Sequence, residues 1–159
     1  MIKNGDNMKK KIILSILIIL IIIVGVIIFR YDKSVCINSF KEENYAITNT
    51  YNIYHKKDIV HKVLIKRQVE SKNNTVLEYF EKQYKEEINK YNKEQGGCRI
   101  ISSTIKDNKY ILKVEIKFKK ENVSKISKNK FFLKENIIGD KIELEGVYKL
   151  FGINKESCD

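Results

Sequence analysis

The residues with the most reactive side chains in this sequence are three cysteines and two histidines. Cys36, Cys98 and Cys158 are far apart and lack the close-spaced pairs that are typical of zinc sites. His55 and His61 flank a short polar segment, where a weak metal site is one interpretation and a pair of exposed strand positions is the commoner one. We therefore predict no metal ligand and no bound cofactor.

The sequence contains no recognisable catalytic motif. It has no Ser/His/Asp order, nucleophile elbow, phosphate-binding glycine loop or paired carboxylates. The glutamates between residues 78 and 87 each have a lysine three or four positions further on, which is typical of solvated ion pairs on a helix. We therefore predict no catalytic residue and expect that the chain is not an enzyme.

A strongly apolar, uncharged run occupies residues 12–29. As a helix rising about 1.5 Å per residue, it would be roughly 27 Å long, close to the thickness of the hydrocarbon of a bilayer. The residues that follow the run are bulky, whereas a cleavable signal peptide needs small residues at its cleavage site. The run therefore predicts an uncleaved transmembrane signal anchor in contact with membrane lipid.

The charges around this run predict its orientation. Residues 1–11 carry four lysines, three of them consecutive, and basic flanks stay on the cytoplasmic side of a membrane. Translation can start at Met1 or at Met8, because either leaves a complete anchor. We expect a single-pass protein of the cell membrane with a cytoplasmic N-terminus, a tether at 30–35 and an extracytoplasmic domain at 36–159.

Alternating apolar and polar residues predict two antiparallel hairpins. The first joins strands at 45–54 and 59–69 through a Lys-Lys-Asp turn, and the second joins strands at 99–105 and 110–118 through a polar turn at 106–109. In the last of these strands every second residue is apolar. This pattern predicts a sheet with one buried face and one solvated face.

The clearest helix signal follows the first hairpin. Thr75 and Glu78 fit a capping box, and apolar residues then recur at spacings of three and four from Val76 to Tyr91. The Gly96-Gly97 pair ends the pattern, as a left-handed C-terminal cap requires. A main helix that buries one apolar stripe is therefore predicted.

The order of these elements predicts the fold class. Residues 121–130 form a loop or short helix, and a short terminal helix is predicted at 142–150. Strands followed by a helix, then by strands and a helix, favour helices on one face of an antiparallel sheet. We predict an α+β fold, an antiparallel sheet of two hairpins with a main helix packed on one face, preceded by a single transmembrane helix.

This arrangement resembles the YehR-like family of small bacterial envelope lipoproteins. The resembling part covers residues 36–159, with a cysteine that opens the first strand, a Lys-Asp hairpin turn, a similar helix at 77–91 and the closing pair Ser157-Cys158. The lipid-bearing cysteine of the family is replaced here by the apolar run, and Cys98 is not part of the family pattern. The resemblance implies a sheet-plus-helix fold and an extracytoplasmic location, and it implies no activity.

The three cysteines leave the disulfide pattern open. In an oxidising environment, a bond between Cys36 and Cys158 would tie the end of the domain to its first strand and close a long loop. The alternatives are a pair that includes Cys98 and three separate buried thiols. Cys36 and Cys158 are the disulfide candidates.

Charge narrows the class of partner. Lys plus Arg number 31 against 20 for Asp plus Glu, a net charge of +11. Lys113, Lys117 and Lys119 lie on the polar side of one predicted strand, a pattern that neutralises phosphate. An outward-facing domain would not meet nucleic acid, so the counterions, if any, are expected to be anionic wall polymers or lipid headgroups. A plain solvated face in a lysine-rich chain is the commoner interpretation.

Length and composition are those of one ordinary domain. The chain has 159 residues, no proline and only seven glycines, which excludes collagen-like and proline-rich classes. We expect a membrane-anchored extracytoplasmic envelope protein whose α+β domain binds a protein partner or small ligand. The alternative is a structural subunit of an envelope secretion or transfer assembly.

Overall fold

The computed structural model describes residues 14–21, 31–128 and 136–159. The chain divides into two units, residues 1–31 and residues 32–159, and each is described by itself. The second unit is α+β and contains an antiparallel sheet with helices, as the sequence predicts.

The predicted transmembrane helix at residues 12–29 is wrong. Residues 14–21 are described as helical and belong to helix α1. Among the described residues, no helix combines the length and the apolarity needed to cross a membrane. This finding contradicts the predicted transmembrane helix and the single-pass membrane localisation with an extracytoplasmic domain. Residues 1–11 and the remaining positions of the run lie outside the described residues.

The described residues of the second unit form seven strands and three α-helices. The first strand begins at Asp32, inside the range 30–35 that we predicted as a tether. The strands are β1 (Asp32–Lys41), β2 (Ala46–Lys56), β3 (Ile59–Glu70), β4 (Cys98–Lys106), β5 (Lys109–Lys117), β6 (Ile137–Ile138) and β7 (Lys141–Glu143). The helices are α2 (Asn74–Glu94), α3 (Lys120–Ile126) and α4 (Leu144–Phe151), followed by a 3-10 helix at Lys155–Ser157.

Strand β3 is the centre of the sheet. The strand order is β1-β2-β3-β5-β4, and all of these neighbours are antiparallel. On the side of β3 that faces β5, the first two residues, Ile59 and Val60, pair with β7. Strand β7 also pairs with β6. The two predicted hairpins, β2–β3 and β4–β5, are therefore present, and the pairing of β3 with β5 joins them.

Two-residue turns set the register of both hairpins. Asp107 and Asn108 in the β4–β5 turn have φ angles of 52° and 58°. Such turns match the right-handed twist of the strands, and Asp and Asn tolerate the left-handed backbone better than most residues. In the β2–β3 turn it is Lys57 that adopts a positive φ, 55°.

Helix α2 begins earlier than the capping box predicts. Its N-cap is Asn73, whose side-chain oxygen accepts a hydrogen bond from the Thr75 backbone N–H at 2.9 Å. Asn is among the best N-cap residues, so the helix begins two residues before the position predicted from Thr75. The helix buries Leu77 and Ile88 on the sheet, and Gly96, with φ 77°, follows its end.

The sheet has one covered face and one open face. The covered face carries the buried side chains of the alternating strands, and α2, α3 and α4 each add buried residues to the same core. On β5 the covered positions are Tyr110, Leu112, Val114 and Ile116, all at most 2% exposed. The alternate positions form the open face, where Lys113 and Lys117 are exposed.

Candidate functional site

The disulfide candidates are bonded to each other. The sulfur atoms of Cys36 and Cys158 form a disulfide, 122 residues apart in sequence. The backbone supports this link, because the Asp159 N–H donates to the Val35 carbonyl at 3.0 Å and Cys158 forms a bridge with Cys36. The C-terminal residues therefore lie along the outer edge of β1, and the alternative pairings are wrong.

Cys98 is a free, buried thiol. Burial raises its pKa to about 11, and the more distant Arg67 charge lowers it by less. Because the thiolate is the nucleophilic form, a thiol with this pKa is unreactive near neutral pH. Cys98 acts as a small apolar residue of the core.

The two histidines have different surroundings. His61 is exposed, and partial burial followed by the charges of Lys141 and Lys56 lowers its pKa. His55 Nε2 lies 3.0 Å from Ser34 Oγ, and His55 Nδ1 lies 2.5 Å from the Lys57 carbonyl oxygen. Within the described ranges, no three His, Cys, Asp or Glu residues are grouped so as to hold a metal ion.

Lysines face each other across the two central strands of the open face. The register pairs Lys62 with Lys117 and Lys66 with Lys113, so two like-charged pairs lie directly opposite each other. Such pairs destabilise a sheet, because cross-strand neighbours are only about 5 Å apart. The two pairs place four lysines close together on the open face.

Two of these four lysines are the ones that the sequence pattern singled out. Lys113 and Lys117 lie on β5 as predicted, whereas Lys119 lies beyond the end of the strand and is the N-cap of α3. Lys62 and Lys66 escaped the sequence analysis because their positions opposite β5 depend on the sheet register. No local pattern in β3 reveals that register.

One carboxylate lies between the two lysine pairs. Glu115, whose side chain is only 12% exposed, accepts from Arg99 at 3.0 Å and lies 3.5 Å from Lys117 Nζ. The Glu115 carboxylate therefore forms ion pairs with Arg99 and Lys117. Lys62 lies over the Tyr54 ring, 4.4 Å from its centroid, so an aromatic side chain borders the basic area. We define the basic face as Lys62, Lys66, Lys113, Lys117 and Arg99.

The half-buried Arg67 on the covered face has a structural role. Arg67 makes two hydrogen bonds to Glu87, of 2.6 and 3.3 Å, and lies 4.7 Å from the centre of the Tyr84 ring. Because Glu87 and Tyr84 are on α2 and Arg67 is on β3, this cluster fastens the helix to the sheet. Its charge is neutralised within the domain, so it is not a candidate binding site.

A cleft lies at the N-terminal end of α2. It has a volume of about 700 Å³ and is bordered by the β1–β2 connection and by the β4–β5 turn. Its walls mix acidic side chains such as Glu42 and Glu43 with basic ones such as Lys72 and Lys109. Because side chains of both charges line the cleft, it favours neither an anionic nor a cationic ligand.

Comparisons of this chain with protein-family models, with curated proteins and with solved structures return no match. The YehR-like resemblance therefore stays a prediction, and function must be argued from the geometry of the chain itself.

Proposed function

We propose that the second unit is a binding module whose open sheet face takes an extended anionic ligand. The observation that carries this proposal is the pair of directly opposed lysines, Lys62 with Lys117 and Lys66 with Lys113. An anion bound between opposed ammonium groups offsets their mutual repulsion. The complex is therefore free of a destabilising interaction that the domain without ligand contains. The expectation of a protein partner or small ligand is thereby narrowed to a polyanionic partner.

The spacing of the lysine pairs supports an extended ligand. The two pairs are separated by four residues along each strand, a distance of about 13 Å at 3.3–3.4 Å per residue. A single small anion reaches only one pair. A chain with repeated phosphate groups reaches both pairs.

Titration with inorganic polyphosphate tests this proposal. We expect the full chain to bind it with an affinity that falls steeply with salt, because lysine–phosphate contacts release counterions. The double variants Lys62→Gln/Lys117→Gln and Lys66→Gln/Lys113→Gln should each weaken binding about 10-fold or more at low salt. Each should also reduce the slope of log K against log salt by about 1.4, the value for two lost contacts to a single-stranded polyanion.

A matched control distinguishes binding at the basic face from binding that depends only on the overall positive charge. Lys82 and Lys90 are exposed on α2, so Lys82→Gln/Lys90→Gln removes the same charge elsewhere. We expect this control to change the affinity less than twofold. Equal losses in the control and in the two test variants, or no binding by the full chain, would show that the basic face is only a solvated surface.

A second candidate function is that of a structural subunit in a larger assembly. The observation that favours it is the outer edge of β4, which pairs with no other strand of the described residues. Ile101 at the bulge of this strand is 51% exposed. Unpaired edges are templates for strand addition. Sedimentation of the full chain over a range of concentrations tests this function, and a monomer throughout would count against self-assembly.

A further inference from the structure

A second cleft adjoins the basic face at the end of β5. Its volume is about 370 Å³, within the range of about 300–1,000 Å³ that is usual for small-molecule sites. Arg99, Glu115 and Lys117 line this cleft, and all three belong to the ion pairs already described on the open face. Lys66 and Lys113 do not line it. The cleft therefore lies at one end of the row of lysines.

The walls of this cleft are held in place by backbone contacts. The Lys117 N–H donates to the Gly97 carbonyl at 2.9 Å, which fixes the connection between α2 and β4 beside β5. Only glycine fits at position 97, because its φ is 77° and a Cβ there would lie 2.6 Å from the Lys117 carbonyl oxygen. The buried Asn122 side chain of α3 donates to that same carbonyl at 2.7 Å and accepts from the Lys119 N–H at 2.5 Å. A ligand chain that follows β5 past Lys117 therefore meets fixed walls, which suit the end of a chain better than its middle.

The lining of the cleft is net positive. Four of its side chains are basic and two are acidic, and the acidic side chain of Glu115 already has two basic partners. Lys119 and Lys125 are exposed, and neither belongs to an ion pair of the described residues. The exposed carboxylate of Glu121 lines the same cleft. Two ammonium groups are therefore available to an anion, beside one carboxylate that opposes it.

The end of a phosphate chain differs chemically from its middle. A terminal phosphate has a second ionisation with a pKa of about 6, so it carries a charge of about −1.5 to −2 at neutral pH, whereas an internal phosphate carries a single charge. It also presents one more free oxygen to donors. The two available lysines of the cleft match this additional charge.

We propose that this cleft binds the terminal phosphate of the extended anion, so that the domain takes the end of a phosphate chain. Lys119 and Lys125 hold the terminal group, and Lys117 lies between them and the rest of the basic face. The inference rests on the proposed function for the nature of the ligand. The cleft nevertheless has residues of its own, so each proposal can fail while the other stands.

Inorganic pyrophosphate tests the cleft by itself. It consists of two terminal groups and is too short to span the distance of about 13 Å between the two lysine pairs. In the 15N-labelled full chain, we expect titration with pyrophosphate to move the amide signals of Gly97 and Lys119. The amide signals of Lys66 and Lys113, which are outside the cleft, should stay in place.

Charge variants show which side chains bind the pyrophosphate. Lys119→Gln/Lys125→Gln should raise its dissociation constant about 5-fold or more at low salt. Glu121→Gln removes an opposing charge from the cleft and should lower the constant about twofold. The control Lys66→Gln/Lys113→Gln removes the same charge outside the cleft and should change the constant less than about twofold. Circular dichroism should show that every variant is folded.

Linear hexaphosphate and cyclic hexametaphosphate distinguish the end of a chain from its middle. Both have the same number of phosphate groups, but the ring has no terminal group. We expect the full chain to bind the linear form about 5-fold or more tightly, and Lys119→Gln/Lys125→Gln to remove most of this preference.

The outcomes separate the two proposals. If Lys119→Gln/Lys125→Gln weakens both hexaphosphates equally, or if pyrophosphate leaves the signals of the cleft in place, the inference is wrong and the proposed function stands. If pyrophosphate binds in the cleft while Lys66→Gln/Lys113→Gln leaves the affinity for linear hexaphosphate unchanged, the cleft is a phosphate site and the proposed function is wrong. If none of the three phosphates binds, both proposals are wrong.

Discussion

The two faces of the sheet are formed by the same strands but differ in burial and charge. On β5, Leu112 is 0% exposed beneath the helices, while its neighbour Lys113 points to solvent on the open face opposite Lys66. The covered face buries apolar area, which is the main favourable term in folding. The open face buries little and retains like charges opposite each other, so stability alone does not explain its residues.

This difference separates the residues that hold the fold from the residues that are available for binding. On the covered side, helix contacts, the Arg67–Glu87 cluster and the disulfide all link distant parts of the chain. On the open side the described side chains are constrained mainly by the strands that carry them. Substitutions should therefore have large effects on stability at one face and large effects on binding at the other.

The largest effect is expected from the disulfide that closes the covered side. Replacing Cys36 and Cys158 by serine should lower the free energy of unfolding by about 4–5 kcal/mol in the chain-entropy model, because the bond closes a loop with a sequence separation of 122. Urea denaturation of the double variant measures this loss. A Cys98→Ser variant retains the disulfide and is the control, and an equal loss there would mean that the cysteines matter only through packing.

A pair of neighbouring substitutions on β5 compares the faces directly. Leu112→Ala removes a fully buried side chain and should cost about 2–5 kcal/mol through lost burial and the cavity that remains. Lys113→Ala, one residue further along, should change stability by no more than about 0.5 kcal/mol. Similar urea midpoints for the two variants would contradict the assignment of the faces.

The covered face should also make the fold sensitive to alkali. Burial raises the pKa of Cys98 to about 11 and raises that of Tyr91 as well, so the unfolded chain loses these protons first as pH rises. Their contribution to stability is fully present below pH 9 and is lost as pH rises through the folded-state values, a loss on the order of 1–2 kcal/mol.

Urea midpoints between pH 7 and 10.5 measure this loss. Cys98→Ala should reduce the slope of the decline above pH 9. A midpoint that stays constant across this range would show that these groups are not shielded from water in solution.

The smallest effect is expected from relieving one opposed lysine pair on the open face. Lys66→Thr removes the repulsion with Lys113 and adds a good strand former, so it should raise stability by about 0.2–1 kcal/mol at low salt. Lys33→Thr is the control, because Lys33 is an exposed strand lysine that pairs with Tyr54. The difference between the two variants should shrink at 1 M salt, and a loss of stability in Lys66→Thr would argue against repulsion.

Sequence patterns gave correct predictions where the pattern depends on a single strand or helix. The alternation along 110–118 predicted both the strand β5 and its buried side, because the side-chain period of two is a property of the strand alone. The helical spacing likewise predicted α2, although the stronger cap at Asn73 moved its start. The apolar run at 12–29 predicted a transmembrane helix that is not found among the described residues.

The sequence by itself therefore determined the α+β elements, the amphipathic faces and the two cysteines available at the ends of the domain. Only the tertiary structure decided that Lys62 faces Lys117 and that Ser34 meets His55, 21 residues away. Both contacts depend on strand register, which is set by turns and by core packing across the whole sheet. Because a shift of one residue would turn every side chain to the opposite face, no local pattern contains that information.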